Sequence, residues 1–183
     1  HMDGARLPNA VVASGVAARD FAEPFDSLWI DLSKGLGCPI GAVLAGSKDF
    51  ILQAWQWKQR MGGAMRQSGV IAAAGVYALE NNIDRMVDDH DNARMFAENV
   101  ANLPGVAVDM DSVQTNMVFF DVSGTGMTAA EVHERLLKRG VRIGENDKYR
   151  MRVVTHLDVT RDHVATAAEA LRDVVLENAA VMA

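Results

Sequence analysis

The sequence predicts an α/β protein, with a mixed first segment followed by a smaller α+β domain. Two apolar runs, Phe25 to Leu32 and Ile40 to Ala45, are short, which is typical of neighbouring strands. A long amphipathic pattern from about Ile83 to Leu103 indicates a helix that joins the two parts. We therefore predict an α/β segment over residues 1–80, a linking helix over residues 81–104, and a C-terminal α+β domain over residues 105–183.

Composition and charge narrow the classes of function. The 183 residues are 49% hydrophobic and 23% charged, which is enough apolar material for a core. The formal net charge of −6, without a basic stripe, argues against a nucleic-acid partner, whereas a few placed arginines can hold a small anion. No apolar run is long enough to cross a bilayer. The single Cys38 allows no internal disulfide, so we expect a reducing compartment, the cytoplasm, and interpret Cys38 as a small apolar filler.

Turn and cap residues delimit the helices of the first part. Asp3-Gly4-Ala5-Arg6 is typical of a strand end followed by a turn. Ser47 is a good N-cap, with Asp49 in the first turn of the helix that follows. The stretch before Asn81-Asn82 is rich in alanine and predicts a closely packed helix. The three helices predicted here run from Asn9 to Val16, from Ser47 to Gly62-Gly63, and from Gln67 to Leu79.

The second part shows stronger helix signals. Pro104-Gly105 should end the linking helix. Thr128 and Glu131 form a capping box for a helix that Gly140 closes, and Thr160 should cap the last helix. The inward face of the linking helix is predicted to carry Met86, His90, Ala93, Ala97 and Val100.

Three strands are predicted between these helices. Val106 to Met110 and Met117 to Val122 are short apolar runs. Tyr149 to Thr155 alternates apolar and polar residues, so its two arginines, Arg150 and Arg152, should share one face of the sheet.

The segment Asp31-Leu32-Ser33-Lys34-Gly35-Leu36-Gly37 is the strongest candidate for chemistry. It places Lys34 just after a strand predicted to be buried, where an ammonium loses hydration and the neutral amine is favoured. A neutral amine can attack an aldehyde and form a Schiff base. Gly35 and Gly37 permit a tight turn and the close approach of a bound ring. Taken alone, these seven residues are more typical of a surface lysine in a turn.

Three further motifs accompany this segment. In chain order they are Asp3-Gly4-Ala5-Arg6, Gly62-Gly63-Ala64-Met65-Arg66-Gln67 and Arg152-Val153-Val154-Thr155-His156. Together with the lysine segment they resemble the low-specificity threonine aldolase and beta-eliminating lyase family, whose cofactor is pyridoxal 5'-phosphate (PLP). Four motifs in order are a far more specific signal than any one of them. The resemblance runs through nearly the whole chain but covers only the later part of the family's pattern.

The resemblance implies a fold and a division of the chain. The fold is fold type I, the aspartate-aminotransferase-like α/β fold of PLP enzymes. Residues 1–80 then correspond to the later part of the large PLP-binding domain, and residues 105–183 to the whole small domain.

The resemblance also implies roles for five residues. Lys34 would link covalently to the cofactor, and Asp3 would face the pyridine nitrogen and keep the ring a good electron sink. Arg6 and Arg152 would grip the substrate carboxylate, because a guanidinium fork forms two hydrogen bonds with it. Arg66 would reach the cofactor phosphate of a neighbouring subunit, which implies a homodimer or homotetramer.

Three of these residues also have an ordinary explanation. Asp3 can be a turn aspartate, Arg152 a solvated strand residue and Arg66 a helix-start arginine. We interpret His156 as structural, and His90 and His133 as packing and surface residues. No histidine or cysteine cluster has metal-ligand spacing.

The activity implied by the resemblance is cleavage of threonine or a related β-hydroxy-α-amino acid to glycine and an aldehyde. One alternative is another PLP-dependent lyase or an aminotransferase of the same fold. A second is an inactive fragment that only packs against a partner chain. The family's phosphate-binding Gly/Thr loop and the histidine that stacks on the ring belong to an earlier segment and are not found here, which favours that second alternative.

Overall fold

Residues 1–182 are described by a computed structural model, and the chain divides into two units, His1–Met86 and Val87–Ala183. Each unit has its own sheet and its own buried cluster. The predicted mixture of strands and helices is therefore confirmed. Within the described residues, no helix combines the length and apolar character that a membrane crossing requires.

The first unit contains a mixed three-stranded sheet of order β1-β2-β3. Strand β1 (Met2–Asp3) runs parallel to β2 (Ser27–Asp31), and β3 (Ala42–Gly46) runs antiparallel to β2. The two apolar runs predicted as neighbouring strands thus pair with each other. Four helices complete this unit: α1 (Leu7–Ser14), α2 (Ala18–Ala22), α3 (Lys48–Arg60) and α4 (Gly69–Asn81).

The buried cluster of the first unit is small. It consists of Leu32, Leu36, Cys38, Ala78 and Met86. Ile30 packs against it, so one face of β2 points toward this cluster. The Cys38 thiol is buried and donates to the Ala74 carbonyl at 3.4 Å, and burial raises the pKa of the Cys38 thiol. This environment fits the predicted role of an apolar filler.

The prediction of a closely packed helix over Gln67 to Leu79 is half right. Helix α4 forms there, but its buried residues are only Gly75 and Ala78. Val70 and Tyr77 are exposed. Small side chains permit close approach, but only the face of α4 that carries Gly75 and Ala78 packs against the buried cluster of the first unit.

The second unit contains a four-stranded antiparallel sheet of order β4-β5-β7-β6. Its strands are β4 (Ala107–Val108), β5 (Met117–Asp121), β6 (Gly144–Glu145) and β7 (Arg150–Val154). Its helices are α5 (Met86–Val100), α6 (Ala129–Leu137) and α7 (Arg161–Met182), with short 3-10 turns at Met110–Ser112 and Ser123–Thr125.

One face of this sheet supplies the core. Val118, Phe120 and Met151 are buried together with apolar residues of all three helices. Helix α5 contributes Ala93, Phe96, Ala97 and Val100 to the same cluster, so it is part of the second unit. Because strand residues alternate, Arg150 and Arg152 lie on the opposite face from Met151, as predicted.

The predicted helix caps are confirmed. The Phe50 N–H donates to Ser47 Oγ at 3.2 Å, and the His163 N–H donates to Thr160 Oγ1 at 3.2 Å. At α6, Glu131 N–H donates to Thr128 Oγ1 and Thr128 N–H donates to Glu131 Oε2, which completes the capping box. These caps depend on residues three apart, which a sequence displays directly.

Candidate functional site

Lys34 lies in the turn after β2, beside an acid and an aromatic ring. Its Nζ is 3.2 Å from Asp31 Oδ2 and 5.2 Å from the centre of the Trp29 ring. The expected loss of hydration is not found, because the Lys34 side chain is 38% exposed and β2 is only half-buried. One face of β2, which carries Ile30, packs against the buried cluster, and the Lys34 side chain lies over the other face, which carries Trp29. An ion pair and a cation–π contact, not burial, surround this amine.

Asp31 is held firmly by the turn that begins at it. Its Oδ1 accepts the Ser33 N–H and the Ser33 hydroxyl, both at 2.7 Å. Burial alone would raise the pKa of the Asp31 carboxyl. The hydrogen bonds from Ser33 and the nearby Lys34 ammonium outweigh that effect, so the pKa of Asp31 lies below its ordinary value. Asp31 is therefore an anion at neutral pH.

Asp3 is the last residue of β1, and its position follows from strand pairing. Asp3 is the register partner of Trp29 in the parallel β1–β2 pair, so the two side chains point to the same face of the sheet. Trp29 and Asp31 are two residues apart on β2 and share that face. The Ala5 N–H donates to Asp3 Oδ1 at 3.0 Å, the turn predicted from Asp3-Gly4. The acid Asp3 thus ends one strand and the amine of Lys34 follows the carboxyl end of the adjacent parallel strand.

Gly35 and Gly37, which follow Lys34, suit their positions for two different physical reasons. Gly37 has φ of 74°, in the left-handed region, and its N–H donates to the Lys34 carbonyl at 2.9 Å. Gly35 is buried, and a Cβ there would lie 2.8 Å from Asn9 Oδ1 and 3.2 Å from Met86 Cε. A larger side chain at position 35 would therefore require Asn9 and Met86 to move.

The two other candidate residues of the first unit lie at element ends. Arg6 directly precedes α1, and its carbonyl accepts the Ala10 N–H at 3.1 Å. Arg66 lies in the exposed connection between α3 and α4. Gln67, its neighbour, has φ of 54° and is the sole non-glycine residue with a left-handed backbone among residues 1–182.

Arg152 belongs to the second unit and lies on the exposed face of β7. A cleft of about 320 Å³ adjoins it, with a mainly apolar lining and Arg142 and His163 as further basic residues. The end of β7 is fixed by Thr155, whose N–H donates to the Asn116 carbonyl at 3.0 Å and whose Oγ1 donates to the Asp89 carbonyl at 2.5 Å. These bonds hold the strand that carries Arg152.

The histidines take part in local structure. His156 Nδ1 accepts the Asp158 N–H at 3.3 Å, in the turn after β7. His133 Nδ1 is 2.6 Å from the Ile143 carbonyl oxygen. Burial lowers the pKa of His90. The nearby carboxylates of Asp89 and Asp91 act in the other direction but do not outweigh burial. In the described part of the chain, no three His, Cys, Asp or Glu side chains are grouped to hold a metal ion.

Comparison with known proteins gives one consistent result. The family model described as Beta-eliminating lyase matches residues 1–123. The low specificity L-threonine aldolase of Escherichia coli strain K12 is 45% identical over 168 residues, which cover 92% of this chain and 48% of that protein. The low-specificity L-threonine aldolase 1 of Arabidopsis thaliana is 38% identical over 165 residues, 90% of this chain and 46% of that protein. The chain therefore spans about half the length of the curated relatives it matches.

Solved structures agree on the fold. A protein from Exiguobacterium, described as an aromatic amino acid beta-eliminating lyase/threonine aldolase, is 28% identical with a TM-score of 0.74. The match covers 94% of this chain and 51% of that one. The threonine aldolase of Leishmania major, 17% identical, has a TM-score of 0.71 over the same shares of the two chains, which supports the fold alone.

Proposed function

The chain belongs to the beta-eliminating lyase family, and from that premise we propose that it carries the cofactor-linking lysine of a PLP-dependent aldolase. The reaction would be cleavage of threonine or a related β-hydroxy-α-amino acid to glycine and an aldehyde. The curated relatives named above are threonine aldolases, which supports this substrate class.

One observation carries the proposal. Asp3 ends β1 and Lys34 follows the carboxyl end of the parallel strand β2, both on the sheet face that bears Trp29. In α/β sheets, ligands bind outside the carboxyl ends of the strands. An amine and a carboxylate are the two groups that PLP requires at its aldehyde and at its ring nitrogen. The donor set of this face therefore fits the cofactor.

Each residue would then have a defined task. Lys34 Nζ would hold the cofactor's aldehyde carbon, and Asp3 would keep the ring nitrogen protonated. When bound, the cofactor supplies an electron sink for the bond that breaks in the substrate. Ring stacking and phosphate binding need further groups, because Asp3 and Lys34 cover only two ends of the ring.

The arginines would bind the substrate and a neighbouring subunit. Arg6 and Arg152 would hold the substrate carboxylate, since a guanidinium offers two parallel N–H donors. Holding the carboxylate orients the substrate, and orientation selects which of its bonds is activated. Arg66 would contact the cofactor phosphate of a second copy in a homodimer or homotetramer. Its exposed position on the α3–α4 connection supports such an intersubunit role. With one buried free thiol, the enzyme would work in the cytoplasm.

The test is chemical mapping of the linkage. The enzyme is mixed with PLP, reduced with borohydride and digested, and the labelled peptide is identified by mass spectrometry. The label should fall on Lys34, and Lys34→Ala should abolish both the label and aldehyde release from threonine. A label on Lys48 or Lys58 would contradict the assignment. Turnover that requires a keto-acid acceptor would indicate an aminotransferase instead.

A further inference from the structure

We propose that Asp31 is a positioning residue that holds the Lys34 ammonium above the Trp29 ring, on the sheet face of Asp3, and restrains its reaction with aldehydes. Nζ lies 3.2 Å from Asp31 Oδ2 and 5.2 Å from the ring centre, so two separate contacts fix the position of the amine. The proposal rests on the proposed function only because that function makes Lys34 the reacting amine.

The acid is built to stay charged and in place. Its two bonds from Ser33 occupy Oδ1 and leave Oδ2 directed at Lys34. The Asp31 side chain is only 12% exposed, so water competes weakly for the pair from this side. A carboxylate fixed by a neighbouring turn loses little further entropy when it binds an ammonium, unlike an ordinary surface pair.

The ring adds a second preference for the charged amine. A protonated amine above an indole face is attracted by the ring's negative face, whereas a neutral amine is not. Trp29 is fixed by its place in the centre strand, paired with Asp3 on one side and Leu44 on the other. Both contacts therefore weaken together when Nζ loses its proton.

The chain offers a matched reference amine. Lys58 Nζ lies 5.4 Å from the centre of the Trp55 ring, a similar aromatic contact, and no ion pair of Lys58 is found within residues 1–182. Comparing Lys34 with Lys58 separates the effect of the acid from that of the ring. Asp26, just before β2, offers a matched charge control, because Asp26→Asn removes the same charge from the same unit.

The experiment measures amine reactivity without cofactor. The protein is treated with trace acetic anhydride at one fixed pH, and acetylation of Lys34 and Lys58 is quantified by isotope-ratio mass spectrometry. Asp31→Asn should raise Lys34 labelling relative to Lys58 by about two- to fivefold, the size expected for an ion pair with one partly exposed partner. Asp26→Asn should leave the ratio unchanged. Ser33→Ala removes the hydroxyl bond to Oδ1 but keeps the backbone N–H bond, so it should raise the ratio by a smaller factor.

Two results would overturn the proposal. One is an unchanged ratio in Asp31→Asn with far-ultraviolet circular dichroism like that of the parent chain. The other is an equal rise in Asp26→Asn, which would indicate only a general charge effect. If Asp31→Asn does not fold, the Ser33→Ala variant provides the test. An unchanged ratio of Lys34 to Lys58 acetylation in that variant would then overturn the proposal. Borohydride mapping tests the proposed function separately, since acetylation needs no PLP.

Discussion

At the scale of single residues, the two exposed arginines of β7 differ in their surroundings. The Arg150 guanidinium lies over the Phe119 ring, 4.7 Å from its centre, whereas Arg152 adjoins the cleft of the second unit. Arginine and lysine carry the same charge, but only arginine presents a planar fork of donors. The pair therefore allows a comparison of one substitution at two positions on one strand face.

Arg152→Lys should weaken substrate binding more than it slows the bond-breaking step. Losing one charge-assisted hydrogen bond costs about 1.5–3 kcal/mol, which corresponds to about a 10- to 150-fold higher KM for threonine. Arg150→Lys should leave KM near the parent value. Steady-state kinetics of threonine cleavage measure both. Unchanged kcat and KM in Arg152→Lys would refute the carboxylate-binding role.

Sequence reasoning could identify residues of this site whose type and spacing carry the signal. Asp3 and Lys34 were put forward through the family resemblance, whereas the tight turn at Gly37 was predicted from local pattern. Asp31 lies within the same motif, but its proposed positioning role was not predicted. That role depends on the direction of the Lys34 side chain after β2 ends, which the sequence does not show. Trp29 becomes relevant only through the pairing of β1 with β2, which joins residues far apart in the chain.

At the scale of elements, α6 shows how one helix is held at its end and along its side. Its capping box closes the first turn, and Leu136 is fully buried in the core of the second unit. The adjacent Leu137 is 46% exposed. Two neighbouring leucines on one helix thus differ only in burial, which makes them a matched pair.

Leu136→Ala should destabilise the chain by about 2–5 kcal/mol, because it removes buried methyl groups and leaves a cavity. Leu137→Ala should change stability by no more than about 0.5 kcal/mol. Urea unfolding followed by circular dichroism measures the difference. Equal shifts in the two midpoints would mean that the α6 face is assigned wrongly.

Elements were predicted well where apolar period and caps agree, as in α5, α6 and α7. Strand β6 was missed because two residues, Gly144 and Glu145, carry no alternation, and only pairing with β7 defines them. Helix α2 was missed for a similar reason, since it has five residues and none is buried. The burial of α4 was overestimated because an alanine-rich composition shows that a helix can pack closely but does not show which elements pack against it.

At the scale of the whole molecule, the two units differ in how much core they hold. The core of the second unit joins three helices to a four-stranded sheet. The buried cluster of the first unit is limited to Leu32, Leu36, Cys38, Ala78 and Met86. Since burial of apolar surface is the main force in folding, the second unit should be the more stable one.

A polypeptide of residues 87–183 should therefore fold alone and unfold cooperatively on heating. A polypeptide of residues 1–86 should show no cooperative transition, because its small cluster cannot offset the entropy of ordering the chain. Circular dichroism melts and proton–nitrogen NMR spectra of the two pieces measure this. A sharp transition in residues 1–86 alone would contradict the expectation.

Gly4, the residue after β1, disfavours a shifted alignment of β1 against β2. A Cβ on Gly4 would lie 2.3 Å from the Trp29 carbonyl oxygen, so only glycine fits at that point. If β1 slipped by one residue in either direction, Asp3 or Ala5 would take that place and its side chain would clash. A slip would also turn Asp3 to the other side of the sheet, away from Lys34. Strand β1 is only two residues long, and Gly4 disfavours both neighbouring alignments, which keeps Asp3 on the sheet face of Trp29.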